Sequence, residues 1–169
     1  MLEKTNTMFK PWVALLVATA VLLLTVFMPF VTVKSEYRDA LENSNSDIAN
    51  KMIDISMIEF GGLAEETGEN EDEAMSYTIV AVVFLVLAAL AVVCAYFQKP
   101  VLAILTSLLT ILPYFMYFFI FAIDSESVSE YGPYQWGFGF YMYYFAVIAV
   151  LVTAVWFARA KKKAKKAAV

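Results

Sequence analysis

Apolar positions in this chain gather into four long runs, with the polar positions between them. The runs cover about Trp12 to Val33, Tyr77 to Phe97, Val101 to Ile123 and Phe138 to Ala158, and none contains Asp, Glu, Lys or Arg. A helix rises about 1.5 Å per residue, so each run can cross a hydrocarbon core of roughly 30 Å. The pattern predicts an all-α fold: an antiparallel four-helix transmembrane bundle with a partly ordered outer loop. One integral membrane domain then uses residues 1–169, with spans at about 12–33, 77–97, 101–123 and 138–158.

Pro11 and Trp12 open the first run, Pro at a tolerated first turn and Trp at a headgroup boundary. Pro29 falls in its last turns and is expected to kink the exit. The first loop, 34–76, is polar at its start and acidic at its end. Between lies DIANKMIDISMIEFGGL. Ile53, Ile55 and Met57 alternate with Asp54 and Ser56, which suits a strand, while Met52, Ile53, Met57 and Phe60 suit one helix face. Gly61-Gly62 is expected to end the element either way. This segment is expected to pack over the outer ends of the third and fourth spans. The acidic stretch 65–73 has nothing to bury and is expected to stay mobile.

Only Gln98-Lys99-Pro100 joins the second and third runs, which predicts a helical hairpin. Pro113 lies midway along the third run and deprives the Leu109 carbonyl of its helical donor, so Thr110 is a candidate partner. The second loop, 124–137, turns at Gly132-Pro133 and leads into an aromatic-rich fourth run. Each run carries a small-xxx-small pair: Ala14 and Ala18, Ala91 and Ala95, Ala103 and Ser107, Ala154 and Ala158. Ala81, Ala88 and Ala95 also recur every seven residues, which suits a close helix seam.

Composition agrees with the pattern: 62% of the 169 residues are hydrophobic, and mean hydropathy is +0.69. The net charge of −4 hides a strong segregation. Lys4, Lys10, Lys99, Arg159, Lys161, Lys162, Lys163, Lys165 and Lys166 flank one set of span ends, against Glu3 alone. Lys34, Arg38 and Lys51 flank the other set, among the remaining acids. Basic residues near span ends stay in the cytoplasm, so both termini, including the basic tail 159–169, are expected there, in the plasma membrane. The first run is longer than a signal-peptide core, and no small-x-small cleavage site follows Val33, so it reads as a retained anchor.

Candidate chemistry is sparse. Histidine is absent, which removes the commonest general base and most transition-metal sites. Cys94 is the only cysteine and lies within the second run, where it reads as a small buried apolar side chain. Glu65, Glu66, Glu69, Glu71, Asp72 and Glu73 lack the spacing of a calcium loop and read as a solvated charge run. No nucleophile elbow, P-loop or dinucleotide fingerprint occurs. No catalytic, cofactor-binding or metal residue is therefore assigned, no cofactor is implied, and an enzyme is not expected. The tail lysines are expected to contact anionic lipid of the bilayer, not nucleic acid.

Four spans, a large first outer loop, a tight cytoplasmic turn and a smaller second outer loop resemble the layout of claudin-type tetraspan proteins. The first loop lacks that family's tryptophan and cysteine pair, so no functional residue is carried over. The expected role is that of an accessory or scaffold protein acting through a membrane-protein partner or a homo-oligomer. The alternative is a small transporter or channel component.

The topology has a direct test. With Cys94→Ala as background, Ser44→Cys should react with an impermeant maleimide in intact cells and Ala168→Cys should not. Labelling of the tail site refutes the orientation.

Overall fold

The computed structural model describes residues 2–44, 46–68, 70–124, 128 and 132–166. The described chain is mostly helical. In order it runs α1 (Leu2–Leu24), a 3-10 turn (Thr25–Phe27), β1 (Pro29–Val33), α2 (Ser35–Glu42), α3 (Asp47–Lys51), β2 (Asp54–Ser56) and α4 (Met57–Glu66). Then follow α5 (Glu71–Tyr96), α6 (Pro100–Leu109), α7 (Ile111–Phe119), a π turn (Ile120–Asp124), β3 (Tyr134–Trp136) and α8 (Phe138–Lys166). Among the described residues four helical segments are long and apolar enough to cross a membrane: Phe9–Phe27, Glu71–Tyr96, Pro100–Ala122 and Phe138–Lys166.

Three boundaries differ from expectation. The first helix does not reach Val33. After the 3-10 turn the chain becomes strand β1, so the mostly helical fold also carries a small three-stranded sheet that the all-α expectation lacked. Pro29 cannot donate to a helix, and the branched Val31-Thr32-Val33 run pairs with strands instead. An unbroken apolar run cannot distinguish a buried strand from a helix end. The 52–63 segment is both things the pattern allowed, a strand and then a helix, and Gly61-Gly62 lies inside α4 instead of ending it. The acidic run is largely helical: Glu65 and Glu66 close α4, while Glu71, Asp72 and Glu73 form the first turn of α5. Glu71, Asp72 and Glu73 complement the positive N-terminal end of the α5 dipole. Glu69 lies outside the described residues.

Contacts divide the chain into two compact units. One, the turn unit, comprises 1–23, 86–110 and 143–169. Its core mixes small residues, Ala18, Ala88, Ala91, Ala95, Ala103, Ser107 and Ala154, with larger buried side chains such as Leu15, Leu22, Tyr143, Val150 and Phe157. Along α5, Ala81, Phe84, Ala88, Ala91 and Ala95 repeat at alternating steps of three and four, the spacing of a close-packed seam. The Trp12 indole donates to the Ala95 carbonyl at 3.0 Å, tying the first helix to the second. The buried hydroxyls of Thr19 and Ser107 return to their own helix, to Leu15 and Ala103.

The short turn ends α5 in a Schellman motif. Lys99 N donates to Cys94 O at 2.8 Å and Gln98 N to Ala95 O at 3.0 Å. Gln98 takes the left-handed position usually left to glycine, at φ 57°. Pro100 then starts α6 in its favoured first position. The Lys161 ammonium donates to the Gln98 carbonyl at 3.1 Å, fixing the α8 tail to the turn.

The third span breaks at Thr110, between α6 and α7. Thr110 does not serve Leu109, as the proline argument suggested. Its hydroxyl donates to Ser107 O at 2.6 Å and lies 3.1 Å from the Tyr143 hydroxyl. Thr110 has one hydroxyl proton, already used, so Tyr143 is the donor in that pair.

The alanine seam predicts a contrast. Ala95→Leu should destabilise the protein by about 1–3 kcal/mol through overpacking. Val83→Leu, at a position 44% exposed on the same helix, should stay within about 0.5 kcal/mol. Equal melting of the two variants in detergent would count against the seam.

Candidate functional site

The second unit, the loop unit, comprises 24–85 and 111–142 and holds both loops. Its sheet has the order β2-β1-β3, so the exit of the first span supplies the central strand and each loop supplies one edge strand. Val31 faces Ile55 on one side and Trp136 on the other, while Thr32 faces Asp54 and Gln135. Alternation along a strand therefore makes one apolar row, Ile55–Val31–Trp136, and one polar row, Asp54–Thr32–Gln135. A bulge between Pro29 and Val31 turns Phe30 inward.

Phe30 is the hub of this unit. Its ring meets those of Tyr114, Tyr117, Phe121, Trp136 and Phe140 at centroid distances of 5.4–5.9 Å. Trp136 stacks on Phe140 at 4.2 Å. Strand β1 reaches this position because glycines clear the way. A Cβ at Gly137 would meet the Pro29 carbonyl, and one at Gly139 would lie 2.8 Å from the Met28 and Pro29 oxygens.

The 52–63 segment packs on the third span, as expected. It also meets Tyr77 of the second span. The Tyr117 hydroxyl lies 2.8 Å from both the Met57 and Tyr77 carbonyls and shares its single proton between them. Phe60 meets Tyr77 at 4.8 Å and Phe121 at 4.7 Å. Ile53, Ile55 and Met57 are buried, and Phe60 is half-buried. Each fully buried side chain of this kind is worth roughly 1.5–3 kcal/mol.

Above this apolar layer the charged groups form pairs. Asp54 accepts from the Thr32 hydroxyl and, at 3.2 Å, from Arg38 Nη2. Lys51 Nζ binds both Glu66 oxygens, at 2.6 and 2.8 Å. Glu59 closes a capping box, accepting from Ser56 Oγ at 2.6 Å and from Ser56 N at 3.4 Å. Of these, Lys51, Asp54, Glu59 and Glu66 line an open groove of about 450 Å3 together with Ile58 and Leu63. Each carboxylate serves a different partner, and among the described residues no three His, Cys, Asp or Glu side chains could hold a metal. Exposed pairs of this kind are worth about 0–1 kcal/mol and act mainly to fix geometry. Burial pushes the Tyr134 phenol up.

No catalytic, cofactor or metal residue was assigned from the sequence. Of the acidic run, Glu66 lines the groove, and Glu65 and Glu71 line a separate recess beside Gly61. Cys94 is half-buried in α5. The groove residues Lys51, Asp54 and Glu59 were not singled out beforehand. One local signal was present, the Ser-x-x-Glu spacing of Ser56 and Glu59. Lys51 and Glu66 meet only through tertiary packing.

Comparison with family models, curated proteins and solved structures finds no match to this chain. The likeness to claudin-type proteins is one of layout.

Adjacent glycines offer a sharp test of how α4 is seated. A Cβ at Gly61 would collide with the Thr78 hydroxyl and lie 2.9 Å from Thr78 N, whereas one at Gly62 would meet nothing within 4 Å. Gly61→Ala should cost about 1–3 kcal/mol. Gly62→Ala should stabilise by about 0.4–1 kcal/mol, because alanine restricts the unfolded chain. Thermal melts in detergent that rank the two the other way would contradict this packing.

Proposed function

We propose that this chain is a non-enzymatic, multi-pass integral membrane protein that works by association. It lies in the plasma membrane as an antiparallel bundle of four spans, both termini are cytoplasmic, and the loop unit faces outward as an accessory or scaffold surface. The observation that carries this reading is the order of the loop unit. Strands from both loops form one sheet, and beside its edge strand β2 the first loop displays a groove lined by Lys51, Asp54, Glu59 and Glu66. Ordered loops on a rigid scaffold are where binding surfaces are commonly built. Exposed apolar side chains along the helices, such as Leu105 and Phe145, support placement in lipid.

A second reading, a transporter or channel component, draws on the third span. Its break at Thr110 and the buried hydroxyls of Ser107, Thr110, Tyr114 and Tyr117 interrupt an otherwise apolar helix. Discontinuous helices mark substrate paths in many transporters.

One pair of measurements separates the readings. Purified from native membranes, the chain should carry a stoichiometric membrane-protein partner or a second copy of itself. Ile58→Arg in the groove should lose that partner, and Val83→Leu should keep it. Absence of any partner, together with solute or ion flux from the pure protein in liposomes, would overturn the scaffold reading in favour of the second.

A further inference from the structure

The sequence of the turn unit contains one acid, Glu3, against all nine basic residues of the N-terminus, turn and tail. Most of that charge sits on the last turns of α8, which stay helical to Lys166. Here Pro100 at the start of α6 and Ala158, Lys161, Lys162, Ala164 and Lys165 of α8 line an open groove of about 580 Å3. The proline, the alanines and the lysine stems make its walls apolar, and the ammonium groups stand at its rim.

This arrangement is electrostatically incomplete. Lys161 and Lys165 are four residues apart and Lys162 and Lys165 three apart, so like charges face each other on one helix surface. Helix polarity offsets part of the repulsion, since cations suit a C-terminus. Lys161 is also pinned to the Gln98 carbonyl, which holds its charge beside the groove. No acidic side chain among the described residues of this unit answers the remaining charge.

We propose that the groove holds one anionic phospholipid. Its acyl chain lies along Pro100, Ala158 and Ala164, and its phosphate sits between Lys162 and Lys165. The complement is specific in two respects: an apolar channel open at one side for a chain, and a cationic rim for a headgroup. A soluble anion satisfies the rim and leaves the channel empty. A zwitterionic lipid fills the channel and brings its own ammonium to the rim. The inference rests on the membrane placement proposed above and adds a bound lipid to it.

Native mass spectrometry of the full chain tests this, with dioleoylphosphatidylglycerol and dioleoylphosphatidylcholine as probes. Wild type should retain phosphatidylglycerol in preference to phosphatidylcholine. Lys162→Gln with Lys165→Gln should weaken that retention roughly thirty-fold. Lys163→Gln with Lys166→Gln removes the same charge outside the groove lining and should weaken it far less. Ala158→Phe should weaken it with every lysine intact. If Ala158→Phe lowers the melting temperature in detergent, the comparison of the two lysine pairs decides alone. Equal loss in the two lysine pairs would overturn the proposal, because the tail would then act only as a diffuse charge. Equal retention of the two lipids, or displacement of the lipid by excess glycerol phosphate, would overturn it too. A chain that fails to insert into liposomes refutes the membrane placement itself. A chain that inserts without lipid preference refutes only the groove.

Discussion

A backbone polar group removed from water must find a hydrogen-bond partner, and the rest of this structure follows from that constraint. The charge-free runs meet it as helices, which satisfy the backbone internally. The buried hydroxyls of Thr19 and Ser107 return to a carbonyl of their own helix, and the Trp12 indole reaches the Ala95 carbonyl. Where the helix itself fails, at Thr110, two hydroxyls meet: Thr110 bonds Ser107, and Tyr143 bonds Thr110. Where the first helix stops, the freed backbone pairs immediately as β1, the central strand of the sheet.

That last solution shapes the loop unit. A central strand needs partners on both edges, so β1 draws one strand from each loop. The bulge beside Pro29 then delivers Phe30 into the rings of the third and fourth spans' segments within this unit. Gly137 and Gly139 permit the close approach. The polar face that results displays Asp54, Thr32 and Gln135, and the groove at α4 extends it. A surface held from both loops keeps one shape, which is what recognition by a partner requires.

Much of the helical content was legible, because four charge-free runs of more than twenty residues leave little alternative in composition. The exit of the first span was not. Phe30, Val31 and Val33 are buried in a strand, and a buried strand reads as a continuation of an apolar helix. The glycine pair misled for a related reason: Gly61 sits inside α4 because Thr78 and Ala74 press on it, a tertiary demand invisible along the chain. The hydroxyls of the third span were readable, since Ser107, Thr110, Tyr114 and Tyr117 recur at steps of three and four. The groove was legible only in its Ser56–Glu59 cap. Its Lys51–Glu66 pair bridges fifteen residues between α3 and α4 and forms only through tertiary packing.

The central claim is that both loops fold into one sheet seated on Phe30. Hydrogen exchange on the protein in lipid nanodiscs tests it most directly. Slow exchange is predicted across 31–33, 54–56 and 134–136, and Phe30→Ala, a change that typically costs about 3–5 kcal/mol in a core, should release all three strands together. Fast exchange across 54–56 or 134–136 in the wild type, or a Phe30→Ala variant that frees one strand and leaves the others protected, would contradict it.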